Sequence, residues 1–475
     1  MYPLCEVVPF CIIFKVDIVL IEQRFFMNNN INRLVLLLLV VIVVLVPLRF
    51  VPSFTLFGYE VKSVDILSDI LSSDLEETGV EDLNLIPEAK KVKEFKCPEG
   101  VTCIEDYGLG KSAGMSHFYK ALSRRDSLGR PVRIAFFGDS FIEGDILIAE
   151  LREQLQKEFG GNGVGFLDVA PEAPGFRKSI NQFYGGWDTH RAIDKEGFVA
   201  KKQGITQTYS QSRGNSYTDI SGVADYPYAS KFETSTFYVM SSSPVAFSVS
   251  KNNGPQEVVK SQGTGKVEAV SVQGNMNHVR WSMSGAPGAL CYGVAVESKK
   301  GVVVDNFAMR STTGTHLAAI EDDHLKGLAA VRPYDLIVLQ YGLNVTTKRI
   351  VKYDIYVKQM NKVIEKIKRC FPNTSILIVG LGDREDKVNG VLCTTPGALA
   401  LMQYQQQMAA LNEVGYWNLF QAMGGEGSIV KMSETKPAQA RKDYAHITRE
   451  GGAVLSEYYF KAIKAGFEQY KIMEE

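Results

Sequence analysis

Two stretches of this chain alternate short apolar runs with segments of helical periodicity, and a β-rich stretch separates them. In the first, residues 131–137 form an apolar run that ends at Gly138, and residues 145–159 place their apolar side chains on one helical face. Strands that alternate with helices form parallel sheets covered on both faces. This pattern therefore predicts an α/β fold.

The second stretch repeats the alternation towards the end of the chain. It predicts strands at 335–341 and 375–380 and helices at 351–370, 398–414 and 451–470. The intervening β-rich stretch predicts strands at 235–240, 245–250, 267–272, 279–283 and 290–297, separated by Asn- and Gly-containing turns. We expect a three-layer α/β/α domain, flavodoxin-like in architecture, built from 111–194 and 302–475. An inserted β-sandwich would occupy 195–301.

The apolar run at 34–46 has thirteen residues without a polar side-chain atom. A full membrane span needs roughly 20 residues, so the run suits a signal-peptide core or a short signal anchor. No small-x-small cleavage site follows it, which favours an uncleaved anchor at 34–50 and an exported, membrane-anchored protein. A cleaved signal and a buried core helix are the alternatives.

The segments around this run are less regular. Residues 1–33 precede it, and Met27 with the Asn-rich sequence after it resembles a natural start, so that 1–26 would not be translated. A second apolar element is the competing interpretation. Residues 51–110 lack periodicity and predict a linker or stalk.

Charge and cysteine content exclude several classes of protein. The formal net charge is −1, which argues against a nucleic-acid binder. Seven cysteines in 475 residues are too few for a disulfide scaffold. Cys97 and Cys103 bracket a turn-rich loop and could form a disulfide in an exported protein, or remain two thiols. Their spacing is not that of metal ligands, so we expect no zinc site.

Ser140 lies at a position in an α/β sheet where catalytic residues can be placed. It follows Gly138 and Asp139 directly after the first predicted strand and precedes a helix, which is where open sheets bind ligands. Backbone amides there favour developing negative charge. Alone, the pattern is also that of a helix-capping serine.

Two further patterns complement Ser140. Asp443 precedes His446 by three residues, a spacing that lets a carboxylate orient an imidazole, as in a Ser-His-Asp triad. Asn344 follows Gly342 just after a buried strand, where its amide can donate to an oxyanion. A surface ion pair and a turn-capping asparagine are the plain alternatives.

The order Gly138-Asp139-Ser140, Gly342-x-Asn344 and Asp443-x-x-His446 resembles that of the SGNH (GDSL-type) hydrolases, in particular cell-envelope members with an inserted β-domain. The resemblance implies Ser140 as nucleophile, His446 as general base and then acid, and Asp443 as its orienting partner. The Ser140 backbone N–H and Asn344 would line the oxyanion hole. Where the family has a donor glycine, this chain has Ser311, with Gly314 three residues later.

The resemblance implies a serine esterase that removes O-acyl groups, most directly O-acetyl, from glycans of the cell envelope, without a metal or other cofactor. An O-acyltransferase with the same triad and a non-catalytic glycan-binding protein are the alternatives, and lipid or thioester hydrolysis is a further one. An acylated glycan or small ester would be the partner, with the membrane contacted through the anchor. The oligomeric state is left open.

Overall fold

The computed structural model describes residues 54–56, 59–61, 97–108, 114–194, 196–349, 352–388 and 390–474. Its strands are β1 (Phe54–Leu56), β2 (Tyr59–Val61), β3 (Glu105–Asp106), β4 (Val132–Gly138), β5 (Gly165–Leu167), β6 (Ile180–Arg191), β7 (Thr208–Gly222), β8 (Phe232–Met240), β9 (Ala246–Lys251), β10 (Gln256–Lys260), β11 (Val267–Met276), β12 (His278–Ser284), β13 (Leu290–Glu297), β14 (Val302–Ala308), β15 (Leu336–Gln340), β16 (Ser375–Val379), β17 (Glu385–Val388), β18 (Val391–Thr394) and β19 (Gly415–Trp417). Its helices are α1 (Ser116–Ser123), α2 (Ile148–Phe159), α3 (Asp322–Val331), α4 (Asp354–Cys370), α5 (Pro396–Leu411), α6 (Leu419–Met423), α7 (Ser428–Glu434) and α8 (Arg449–Glu474).

The chain divides into two compact units, 1–78 and 79–475. In the first, the described residues form the short antiparallel pair β1–β2. The predicted N-terminal segment 1–33 and the signal anchor 34–50 lie outside the described residues. Among the helices that are described, none is both long and apolar enough to cross a membrane.

Six strands form a sheet in the order β14-β4-β15-β16-β19-β3, and every neighbouring pair except β19–β3 is parallel. Side chains on β4 alternate between its faces. Ile134 and Phe136 pack in a core with α1, α2 and α8, whereas Ala135 and Phe137 pack in a second core with α3, α4 and α5. The predicted parallel sheet with helices on both faces is therefore confirmed.

Nine antiparallel strands form a second sheet. Its main path is β10-β9-β12-β7-β13-β8-β11, with β5 paired to β13 and β6 paired to β7. Five of these strands (β8, β9, β11, β12 and β13) correspond to strands predicted from the sequence. The sheet also takes strands from before residue 195, and the domain boundaries 111–194, 195–301 and 302–475 stay predictions.

The second sheet folds over on itself. Phe237 on β8 contacts two aromatic rings on strands that are not its neighbours in the sheet, Phe247 with ring centroids 4.5 Å apart and Trp281 at 5.6 Å. The long strand β7 connects the two halves, since one part of it pairs with β12 and another with β13. The result is a sandwich-like β-domain with its own apolar core.

A buried arginine joins the two sheets. The Arg332 side chain, at the end of α3, is completely buried. Its guanidinium donates to both carboxylate oxygens of Asp305 on β14, at 2.9 and 2.8 Å, and to Glu297 on β13 at 2.9 Å. It also donates to the Tyr238 hydroxyl on β8 at 3.0 Å. Three strands from two sheets therefore share one cation.

The carboxylates of this network have further donors. Arg133 on β4 donates to Glu297 at 2.6 and 3.2 Å. The Tyr334 hydroxyl and the Phe166 backbone N–H donate to Asp305, at 2.6 and 2.8 Å. Burial by itself raises the pKa of Glu297, but Arg133 and Arg332 outweigh it and lower the pKa to about 2.

We expect Glu297→Gln to lower the free energy of unfolding at neutral pH. We also expect that free energy to change less than in the wild type as the pH falls. A carboxyl whose folded pKa lies near 2, against an ordinary value of 4.5, contributes stability above pH 4.5 that is lost as the pH falls through 2. Removing one partner of a buried pair costs about 3–5 kcal/mol. Thermal melting between pH 7 and 2 measures both effects.

The matched control is Glu257→Gln, which removes a half-exposed carboxylate paired with Lys251. Its melting temperature should stay close to that of the wild type at every pH. A Glu297→Gln curve parallel to the wild-type curve would contradict this account of the network.

Candidate active site

The carboxyl ends of three adjacent strands converge on Ser140. β14, β4 and β15 are neighbours, and their registers place Ala308, Gly138 and Gln340 side by side at the strand ends. Ser140 follows β4, and Asn344 lies in the loop after β15. The strand order thus brings together motifs that are about two hundred residues apart in the chain.

Ser140, His446 and Asp443 form a hydrogen-bonded chain. The Ser140 Oγ lies 3.0 Å from the His446 Nε2, and the His446 Nδ1 lies 2.9 Å from the Asp443 Oδ2. The second carboxylate oxygen of Asp443 accepts the backbone N–H groups of Ala445 and His446, at 3.1 and 3.0 Å. This is the geometry in which a histidine can take a proton from serine while a carboxylate holds the ring.

The charge of Asp443 is stabilised by its local turn. Partial burial raises the pKa of this carboxyl, but the backbone and side-chain hydrogen bonds of His446 outweigh burial and lower it overall. The side chains of Asp443 and His446 are 47% and 34% exposed. The triad therefore opens to solvent on the histidine side.

The turn that carries Ser140, called the nucleophile turn after the role predicted for that residue, has a tightly packed glycine and a buried carboxyl. A Cβ at Gly138 would lie 2.8 Å from the Ile142 side chain and 3.0 Å from the Gln340 carbonyl oxygen. The Asp139 carboxyl accepts the Phe141 backbone N–H at 3.0 Å. Burial raises the pKa of Asp139 to about 6, and its hydrogen bonds only partly offset that effect.

Asn344 lies against this turn. Its side-chain amide donates to Asp139 Oδ2 at 3.2 Å and to the Thr312 carbonyl at 3.0 Å. The amide is thus held between the loops that follow β4 and β14. An oxyanion formed at Ser140 would compete for the same N–H groups, and the oxyanion role of Asn344 stays a prediction.

Ser311 adopts a backbone conformation that glycine prefers. Its φ is +60°, which places a Cβ in the left-handed region. The resemblance noted from the sequence implies a glycine at this position, and the left-handed conformation of Ser311 is one that glycine adopts readily. Gly314 has φ +85°, and a Cβ there would meet the Tyr341 ring at 2.5 Å. The role of Ser311 in an oxyanion hole stays a prediction.

Asp145 anchors the segment that follows the nucleophile. The carboxylate is completely buried and accepts hydrogen bonds from Arg152 and Arg177, both at 2.9 Å, and from Asn306 on β14 at 2.6 Å. Burial raises the pKa of Asp145, but the two arginines outweigh it, so the net shift is downward.

The loop after β16 supports the site in a way that sequence reasoning missed. Arg384 donates to the Leu343 carbonyl, beside Asn344, at 2.9 Å. The next backbone N–H, of Glu385, donates at 3.0 Å to the carbonyl of Tyr444, which lies between Asp443 and His446. The only sequence signal was the position of this loop after a strand adjacent to β15.

Asp383 holds this supporting loop in place. Its buried carboxylate accepts the Thr394 hydroxyl at 2.7 Å and the Ile429 backbone N–H at 3.0 Å. Arg384 and Glu385 therefore extend from a fixed point towards the two loops of the site. They are positioning residues, since neither is in contact with Ser140.

The described residues contain no group of three or more His, Cys, Asp or Glu side chains arranged to hold a metal ion. The side chains of the candidate active site can carry out acyl transfer through a serine nucleophile.

Comparison with known proteins relates the fold to a solved structure. No family model matches the chain, and no curated protein matches it. The chain is similar to a structure described as "Peptidoglycan O-acetylesterase in action, 5 min", with a TM-score of 0.62 and 19% identity over 77% of this chain and 99% of that chain. At this identity the similarity establishes a shared fold.

Other solved structures match at much lower similarity. A family two carbohydrate esterase from Cellvibrio japonicus matches with a TM-score of 0.25 and 10% identity, over 61% of this chain and 99% of that one. The acetyl xylan esterase AlAXEase matches with a TM-score of 0.26 and 14% identity, over 34% and 81%. Similarity at this level carries no argument about the present chain.

We expect Ser311→Gly to stabilise the protein. The substitution removes the steric strain of a side chain on a left-handed backbone, and the greater entropy of glycine in the unfolded chain offsets part of the gain. The gain should reach up to about 1 kcal/mol in the free energy of unfolding, measured by urea denaturation. Ser123→Gly, at the end of α1, is the control and should destabilise slightly. A loss of stability in Ser311→Gly would show that its side chain contributes more than its conformation costs.

Proposed function

We propose that this protein is a serine esterase that removes O-acyl groups, most directly O-acetyl, from a glycan of the cell envelope. The observation that carries the proposal is the hydrogen-bonded chain from the Ser140 Oγ to the His446 Nε2, at 3.0 Å, and on from His446 to Asp443. The fold shared with a protein described as a peptidoglycan O-acetylesterase supports the choice of substrate.

The geometry supports the following reaction. His446 takes the Ser140 proton as the Oγ attacks the ester carbonyl, and Asp443 stabilises the imidazolium that forms. His446 then gives the proton to the departing sugar oxygen, which leaves an acyl group on Ser140. A water molecule, deprotonated by His446, attacks the acyl-enzyme; the bond from the acyl group to the Ser140 Oγ breaks, His446 returns the proton to that oxygen, and the carboxylic acid leaves.

Export is part of the same proposal. The segment 34–50 would anchor the protein in the membrane, and the unit 79–475 would lie outside the cytoplasm. The disulfide between Cys97 and Cys103 supports this, because disulfides persist in oxidising compartments.

We expect Ser140→Ala to lower acetate release from a chromogenic acetyl ester at least about 10⁴-fold, since removing a triad member leaves only binding and the oxyanion hole. Ser127→Ala, on an exposed turn, is the control and should retain wild-type activity. Equal activity of the wild type and Ser140→Ala would rule out the serine mechanism. Acetyl transfer to an added glycan in place of acetate release would assign the same triad to an acyltransferase.

We expect Arg384→Ala to lower kcat about tenfold and to change KM less than twofold, because Arg384 positions the loop of Asn344 and makes no contact with the nucleophile. Arg384→Lys should restore part of kcat, since an ammonium can also donate to the Leu343 carbonyl. Steady-state kinetics on the small acetyl ester measures both constants.

Arg369→Ala is the matched control, because Arg369 is a half-exposed arginine of α4 paired with Asp322 at the start of α3. Its kinetic constants should equal those of the wild type. Unchanged kcat in Arg384→Ala would contradict the positioning role.

A further inference from the structure

A cavity of about 150 Å³ lies where the two sheets meet beside the nucleophile turn. Part of the wall comes from the loops that follow β4 and β14 of the parallel sheet and includes Glu143, Gly144, Met309 and Arg310. Another part of the wall comes from the β-domain and includes Asp168, Arg191 and Thr206. A cavity of this volume holds a six-membered ring, as an engineered cavity of similar size holds benzene.

The cavity lies within reach of the reacting serine. Glu143 is three residues from Ser140, so their Cα atoms are at most about 11 Å apart. Arg310 precedes Ser311 and forms an ion pair with Glu143 at 2.8 Å. The two loops that carry Ser140 and Ser311 therefore also form the near wall of the cavity.

Arg191 offers hydrogen-bond donors to the cavity. Among the described residues its side chain has one hydrogen-bond partner, the Ala170 carbonyl at 3.4 Å, and no ion-pair partner. Two other arginines of the cavity wall are already paired, Arg177 with Asp145 and Arg310 with Glu143. Arg191 is thus the guanidinium best able to bind a ligand.

Asp168 offers an acceptor to the same cavity. Its Oδ1 accepts the Thr206 hydroxyl at 2.8 Å, and the same hydroxyl lies 2.9 Å from that of Thr208. Burial is the main influence on this carboxyl and raises its pKa to about 6, against a smaller opposing effect of the Arg191 charge. A donor, Arg191, and an acceptor, Asp168, therefore both line the part of the cavity formed by the β-domain.

Apolar side chains complete the lining. Phe176, Ile180 and Ile193 border the cavity, and the Arg449 guanidinium lies 5.9 Å from the centre of the Phe176 ring. Arg449 also donates to the Phe176 carbonyl, which fixes this segment. An apolar surface next to an acceptor–donor pair suits the two aspects of a sugar, its C–H face and its hydroxyl edge.

We propose that this cavity is the subsite for a pyranose ring of the glycan whose ester Ser140 cleaves, with Asp168 and Arg191 binding neighbouring ring substituents. This inference rests on the proposed function. A long acyl chain does not suit the cavity. Hydrocarbon would remove Arg191, Asp168 and the Glu143–Arg310 pair from water without offering them hydrogen bonds, which is costly.

Activity on two esters tests the subsite with the full-length protein. Arg191→Gln should keep kcat/KM on a small chromogenic acetyl ester within about twofold of the wild type. On an O-acetylated peptidoglycan tetrasaccharide it should lose about tenfold or more, the size expected for a hydrogen bond to a charged group. Arg213→Gln, an exposed arginine on β7, is the matched control and should leave both values unchanged.

Binding is measured separately from catalysis. In the Ser140→Ala background, titration calorimetry with the same tetrasaccharide should show binding that Arg191→Gln weakens about tenfold and Arg213→Gln does not. Asp168→Asn, which keeps the side-chain shape, should weaken binding in the same direction.

The outcomes separate the two proposals. Equal losses on both esters, or no loss on the tetrasaccharide, would overturn the subsite and leave the esterase in place. A wild type inert on both esters would overturn the esterase. In that case, binding that is absent or insensitive to Arg191→Gln would overturn the subsite as well, whereas sensitive binding would retain the cavity as a glycan site.

Discussion

The buried charge network around Arg332 is the interaction on which the arrangement of the two sheets depends. Arg332 lies at the end of α3 and binds Asp305 on β14 and Glu297 on β13. One guanidinium therefore holds strands of both sheets. Taking these charges out of water is costly, and only complete pairing compensates for it. The network has that pairing, through Arg133 and the Tyr334 hydroxyl. An alternative docking of the β-domain would leave buried charges unpaired, which makes the observed docking specific.

Strand β14 connects this network to the candidate active site. Asp305 and Asn306 are consecutive, and their side chains point to opposite faces of the strand. Asp305 binds Arg332, whereas Asn306 donates to Asp145 in the segment after the nucleophile. The loop after β14 then reaches Ser311 and the Thr312 carbonyl, which accepts the Asn344 amide. Docking of the β-domain and the shape of the nucleophile turn thus share one strand.

Much of the fold was predictable because the parallel strands are continuous apolar runs and the helices are amphipathic. The hydrogen-bonded chain of Ser140, His446 and Asp443 could be anticipated because its spacing patterns are local and their order resembles a known arrangement, whereas its catalytic role stays a prediction. The strands β6, β7 and β10 were not predicted, because polar residues interrupt any apolar alternation in their sequences. Arg384 was missed for a different reason. Its partner, the Leu343 carbonyl, is 41 residues away, and no local pattern encodes such a contact.

The exposure of the triad bears on where selectivity can arise. His446 is 34% exposed, and the open side of the triad gives little surface with which to distinguish one ester from another. The proposed chemistry involves only loops around the parallel sheet, because Ser140, Asp443 and His446 all lie there. The cavity beside Glu143 needs both sheets, because Asp168 and Arg191 come from the β-domain. The buried charges that hold the β-domain in place therefore also hold the cavity together. Through the cavity they would determine which ester reaches Ser140, whose proposed chemistry suits many esters.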